Sequence, residues 1–159
     1  MEINFNHGTP RNFSWVVDGK ICAMGFPGFK ENIQFLLDNK IEYLLSLTAE
    51  CQPPVTDFPD LKYFNCKVQD FTPPTLAQID DCIQFMEEAI DKGKIVGLHC
   101  AHGKGRTGTV LACYFVKTYG MTSEQAVSQI RILRPGSIET SEQEQMVYAY
   151  ENRTKCKQK

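Results

Sequence analysis

The sequence carries no large excess of charge: 17 Lys and Arg stand against 19 Asp and Glu, a formal net charge of −2. A chain so balanced has no overall basic field to collect nucleic acid. None of its seven cysteines (22, 51, 66, 82, 100, 113 and 156) forms a CxxC pair, which removes zinc-knuckle and thioredoxin-type readings. No apolar run is long enough to span a bilayer; the longest lies near Val110 to Val116. The first ten residues, MEINFNHGTP, lack the basic start and apolar core of a secretory signal. Seven cysteines cannot all pair, so a reducing setting is expected, the cytosol, with nuclear entry left open. There is also no internal repeat, low-complexity tract or Pro/Gly/Ser-rich linker. At 159 residues, 42% hydrophobic and 23% charged, the chain reads as one globular domain spanning 1–159.

What is present alternates between the two periodicities of regular structure. Ser14 to Val17 and Lys20 to Ala23 are β-prone and flank Asp18-Gly19, a dipeptide suited to a hairpin turn with positive φ at both central positions. Ile33, Leu36 and Leu37 give a short helical stripe. Ile41 to Thr48 (IEYLLSLT) reads as a buried strand, and Leu61 to Val68 as another with Phe64, Cys66 and Val68 on one face. Leu76, Ile79, Ile83, Met86 and Ile90 mark a helix opened by a Thr75/Gln78 capping box. Ile95 to Leu98 is a short strand before His99-Cys100, and from Gly105 the pattern turns helical and apolar until Gly120. Two more capping boxes, Thr122/Gln125 and Thr140/Gln143, open the last helices. Strands alternating with helices predict an α/β fold, a central, mainly parallel sheet flanked by helices on both faces. A site is then expected at the carboxyl ends of the strands, where Cys100 falls.

The segment HCAHGKGRTG, His99 to Gly108, joins a predicted strand to a predicted helix. Gly103 and Gly105 let the backbone of Cys100, Ala101, His102, Gly103, Lys104, Gly105 and Arg106 curl so that its amides converge on a phosphate. The following helix adds its N-terminal partial charge. Arg106 offers a planar fork for two phosphate oxygens. The same positive field favours the thiolate form of a cysteine, making Cys100 the candidate nucleophile. The Thr107 hydroxyl is placed to hydrogen-bond that thiolate as it leaves. A Walker-type loop is excluded by the residues: Leu98, not Gly, stands five positions before Gly103, and Lys104 is followed by Gly105. Thiolate attack on phosphorus expels an oxyanion that needs a proton. Asp70, after a predicted strand and before a helix, is the candidate acid. Asp57 and Asp60 have less strand support, and Asp80 and Asp81 fall in a helix. His99 reads as a structural partner of the loop.

His99-Cys100 with Arg106-Thr107-Gly108 resembles the HCxxGxxR[ST]G loop of the protein tyrosine phosphatase superfamily. Further segments resemble its small atypical dual-specificity phosphatases: NFSW (12–15), QFLLD (34–38), LSLT (45–48), QID (78–80), RTGT (106–109), LACY (111–114) and LRPGSIET (133–140). The resemblance covers a core of about 12–155. It implies the dual-specificity phosphatase fold, with Cys100 as nucleophile, Arg106 as phosphate ligand, Asp70 as acid and Thr107 assisting thiolate release. It implies no metal and no organic cofactor. The partners implied are phosphorylated protein substrates, phosphotyrosine and phosphoserine/phosphothreonine alike; no nucleic-acid or membrane partner is expected, and a monomer is. Glu139 stands where many tyrosine phosphatases carry a water-positioning Gln, a role that Gln143 could fill. Lys104 makes the loop basic enough to keep phosphoinositides and RNA 5′-triphosphates as rival substrates. A non-catalytic phospho-binding module is the rival outside catalysis. A disulfide from Cys100 to Cys66 or Cys82 stays open.

Overall fold

A computed structural model of the chain describes residues 8–157. Its strands are β1 (Ser14–Val17), β2 (Ile21–Met24), β3 (Ile41–Ser46), β4 (Lys62–Asn65) and β5 (Ile95–His99). Its helices are α1 (Lys30–Asp38), α2 (Leu76–Asp91), α3 (Gly105–Tyr119), α4 (Ser123–Leu133) and α5 (Ser141–Lys157). One five-stranded sheet runs in the order β1-β2-β5-β3-β4. β2, β5, β3 and β4 pair in parallel, and only β1 is antiparallel, to β2. The expected α/β class and mainly parallel sheet are what the chain forms.

The pleat divides the sheet residues between two cores. Cys22, Met24, Leu44 and Ile95 pack under α1 with Ile33 and Leu36. Ala23, Leu45, Val96 and Leu98 pack on the opposite face with residues of α2, α3, α4 and α5. α3 runs through this second layer buried from Gly105 to Val116, which explains why its sequence is apolar on every side. All three capping boxes form: Thr75 with Gln78, Thr122 with Gln125 and Thr140 with Gln143, each hydroxyl 3.1 Å from its N3 amide. Gly120 ends α3 with a left-handed φ of 66°.

Two local expectations differ. The hairpin turn takes positive φ at Gly19 (70°) and not at Asp18, with Lys20 N–H bonded to Val17 O at 3.0 Å. A bulge between Trp15 and Val17 supplies the twist that the second positive φ would have given. β4 ends at Asn65; beyond it, Cys66 N–H still bonds Ser46 O and Val68 O accepts from Ala49 N–H at 3.3 Å, so the chain stays alongside the end of β3 up to the site. All seven cysteines are free thiols in this structure, Cys66 beside Cys82.

The central strand β5 leads directly into Cys100, so core integrity there bears on the candidate site. Leu98 is fully buried on β5. Leu98→Ala is expected to lower the unfolding free energy by about 2–5 kcal/mol in urea denaturation. A loss under about 1 kcal/mol would mean that the neighbouring side chains refill the space.

Candidate active site

β5 delivers His99 and Cys100 to the carboxyl edge of the sheet, and the chain turns through 101–104 into α3. The carbonyls of this turn are all held from outside. His99 Nδ1 bonds Cys100 O at 3.1 Å, Phe26 N–H bonds Ala101 O at 3.0 Å, and Asn12 Nδ2 bonds His102 O at 3.0 Å. Arg134 Nη2 bonds Gly103 O at 2.7 Å, and Ile138 N–H bonds Lys104 O at 3.1 Å. Every peptide here is trans, so an outward carbonyl turns the next N–H inward. Among the described residues the amides of Ala101 to Arg106 have no protein acceptor. The loop following Cys100 is therefore a nest of donors, and two anchors have left-handed backbones: Asn12 at φ 55° and Ile138 at φ 61°.

Gly103 is required twice over. Its φ is +74°, and a Cβ there would lie 2.4 Å from Met24 O and 2.6 Å from Arg134 Nη2. Gly105 is required by contact: a Cβ would sit 2.6 Å from Glu139 Oε1 and 2.8 Å from Gln143 Nε2. Glu139 and Gln143, the two candidates for placing water, thus both lie against the loop. Gln143 Oε1 already accepts from the amides of Glu139 (2.8 Å) and Thr140 (3.1 Å). Its Nε2 has only a long contact, 3.5 Å, to Thr72 O. His102 is exposed, Ala101 and Lys104 half-buried, and the Lys104 stem lies over Gly136.

Arg106 leaves the first turn of α3 with 1% exposure. Nη1 donates to Leu47 O (3.1 Å), Val68 O (2.8 Å) and Glu50 Oε2 (2.9 Å). Nη2 donates to Glu50 Oε1 at 2.8 Å and lies 3.2 Å from Asp70 Oδ1. Glu50 thus clamps the guanidinium bidentately, and the bonds to Arg106 hold its carboxyl below the ordinary glutamate value. Two buried polar atoms are left without a protein partner here, Arg106 Nε and Thr107 Oγ1. A phosphoryl oxygen and a thiolate are groups that would satisfy them.

Asp70 is partly open to solvent, at 39% exposure, and also accepts from Phe71 N–H at 2.9 Å. Phe71 stands out at φ 60°, and Thr72 closes the turn onto Gln69 O. Of the other carboxylates considered, Asp57 pairs with Lys30 and Asp80 with Arg153. Asp70 alone of the candidates meets Arg106. Sequence reasoning missed Glu50, Arg134, Ser46 and Asn12. Glu50 had a signal, a carboxylate just past the end of a buried strand; the others had none beyond polarity, because their partners lie far away in sequence.

A cysteine in a nest of amides, with an arginine at the start of the helix that follows, defines a class: the cysteine-dependent phosphatase domains. Known proteins place the chain in the same class. The family model described as "PTP-SAK: Swiss Army Knife protein, DSP-PTPase phosphatase domain" matches residues 10–147, and the chain belongs to that family. It is 40% identical over 149 residues to "Protein tyrosine phosphatase domain-containing protein 1" of Bos taurus, covering 80% of this chain and 18% of that protein. It is 29% identical over 113 residues to "Dual specificity protein phosphatase 1" of Arabidopsis thaliana, covering 70% and 56%. The crystal structure of a mutant form of Tk-PTP superposes with a TM-score of 0.81 at 25% identity, covering 91% of this chain and 97% of that one. The chain spans 18% and 56% of the two curated relatives' lengths.

His99 provides a test of this architecture. Its Nδ1 donates to Cys100 O and its Nε2 accepts from the Ser46 hydroxyl, a neutral tautomer. Burial, aided by the Arg106 charge, lowers its pKa from 6.5 to about 4. The unfolded chain therefore gains a proton before the folded one does. Stability should fall as pH drops from 6.5 to about 4, by about 3 kcal/mol from this group, and be insensitive to it above that window. Urea denaturation across the range should show a flatter pH profile for His99→Asn; an equal slope would refute the assignment.

Proposed function

We propose that this domain hydrolyses phosphotyrosine and phosphoserine/phosphothreonine monoesters of protein substrates through a phosphocysteine intermediate. The observation that carries the reading is the donor nest: outward carbonyls, inward amides and a free Arg106 Nε around one buried thiol. The Cys100 thiolate attacks phosphorus while the ester P–O bond breaks. The inward amides and Arg106 Nε take up charge on the equatorial oxygens. The arriving dianion displaces the Asp70 carboxylate from Arg106 Nη2; beside this second negative charge Asp70 takes up a proton from solvent and passes it to the leaving oxygen, ending as a carboxylate. In the second step Asp70 removes a proton from water, water attacks phosphorus, and the P–S bond breaks to release phosphate. The Thr107 hydroxyl stabilises the departing thiolate, and Gln143 Nε2 or Glu139 orients the water.

Phosphorylated substrates follow from the family; their protein nature and dual specificity are supported by the family description and the relatives' names. The same reading takes residues 1–159 as one catalytic domain with a core of about 12–155, acting as a monomer in the cytosol without metal or organic cofactor. Among the described residues no helix is long and apolar enough to cross a membrane.

Phosphotyrosine and phosphoserine peptides, a phosphoinositide and a 5′-triphosphate RNA should be compared in parallel, with the peptides turned over fastest; preference for either non-peptide substrate would refute the protein-phosphatase reading. Cys100→Ser is expected to abolish turnover and retain peptide binding, measured by fluorescence anisotropy. Asp70→Ala should slow phosphoserine hydrolysis by about 10²–10⁴-fold and an aryl phosphate with a good leaving group much less. An unchanged rate on phosphoserine would remove Asp70 from the acid role.

A further inference from the structure

Arg134 is a second guanidinium behind the loop, 3% exposed, immediately after α4. Nη1 donates to Asn12 O (2.8 Å), Ser14 Oγ (2.7 Å) and Ala23 O (3.2 Å), and Nη2 donates to Gly103 O (2.7 Å). All of these acceptors are neutral. Among the described residues no carboxylate lies within ion-pair distance of it. An unpaired buried charge is costly, and it persists where something else answers it.

Arg106 is in the opposite position. Glu50 and Asp70 both contact it, so one positive charge faces two negative ones. That triplet alone would repel a phosphate dianion. Arg134 is the buried positive charge left over. The ionisable groups that couple to it are Cys100 and Cys22. Burial pushes the Cys22 thiol far up, so it stays neutral. His99, next to Cys100, is neutral as well. Cys100, and an anion bound over it, are what remain to balance the guanidinium.

The geometry adds a second role. The Gly103–Lys104 peptide is trans, so fixing Gly103 O against Arg134 turns the Lys104 N–H the other way, into the loop. Because Arg134 reaches both strands of the hairpin, it also fixes the loop relative to β1 and β2.

We propose that Arg134 is a positioning residue of the phosphate site. It aims the Lys104 amide at the bound phosphoryl group, and its unpaired charge stabilises the Cys100 thiolate and the phosphate dianion together. The proposal rests on the reading of 100–106 as a phosphate-binding loop.

The test compares Arg134→Met, which removes charge and donors, with Arg134→Lys, which keeps the charge but cannot span Gly103 and the hairpin from one nitrogen. With folding checked by circular dichroism, Arg134→Met should alkylate Cys100 with iodoacetamide about tenfold more slowly at neutral pH and bind orthovanadate about tenfold more weakly. Arg134→Lys should restore alkylation and not vanadate affinity, a split that a merely structural role does not give. A folded Arg134→Met that matches wild type in both, or an Arg134→Lys no better than Met in alkylation, overturns the proposal. The wild-type protein supplies a measurement independent of any variant's folding: orthovanadate should move the Lys104 amide proton downfield in NMR, and an unmoved resonance overturns the aim assigned to that peptide. Wild-type turnover of an aryl phosphate separates the two levels; if it is absent, the phosphatase reading itself has failed.

Discussion

The outward anchoring of the loop carbonyls from Cys100 to Lys104 is the constraint on which the rest of the structure depends. A peptide unit has one donor and one acceptor on opposite sides, so amides can converge on an anion only if the carbonyls find partners elsewhere. Those partners come from several separate parts of the chain: the segments at Asn12 and Phe26, His99 beside the nucleophile, Arg134 and Ile138. The fold brings them to one place. The hairpin β1–β2 pairs with β5 so that its ends meet the loop, and the turn between α4 and α5 closes over it from the other side.

Charge is arranged with the same economy. Arg106 is held by Glu50 and two backbone carbonyls, with Nε left without a protein partner and Asp70 3.2 Å from Nη2. Rigid donors cost no reorganisation when charge develops on the phosphoryl oxygens. The clamp has a consequence, because its carboxylates overbalance the guanidinium. Neutral His99 adds nothing to the positive side; the other positive or donor groups beside the loop are its amides, the α3 N-terminus and Arg134.

Among the described residues, three of the four non-glycine residues with positive φ lie near the loop or Asp70; the fourth, Lys40, follows α1. Asn12, Phe71 and Ile138 all take left-handed backbone conformations beside the loop or Asp70, Ile138 while also packing into the core. For Ile138 the conformation is unfavourable for a β-branched residue, and its amide is the one that reaches Lys104 O.

The sequence by itself determined the fold class, the helix starts and the chemical core of the site. Capping boxes, apolar periodicity and the spacing from Cys100 to Arg106 are local codes, carried by residues three to six positions apart, and they are read without knowing the fold. Asp70 stands out as a candidate because it lies between a predicted strand and a predicted helix, although β4 ends at Asn65 and its meeting with Arg106 is tertiary. Only the tertiary structure decided what surrounds that core. Glu50 meets Arg106 across 56 positions, and Arg134 meets Gly103 across 31 and Asn12 across 122. No periodicity encodes such pairings, because they exist only once the strands have taken their order in the sheet. The turn at Gly19 was decided at that level too, by a sheet twist that local propensity does not record.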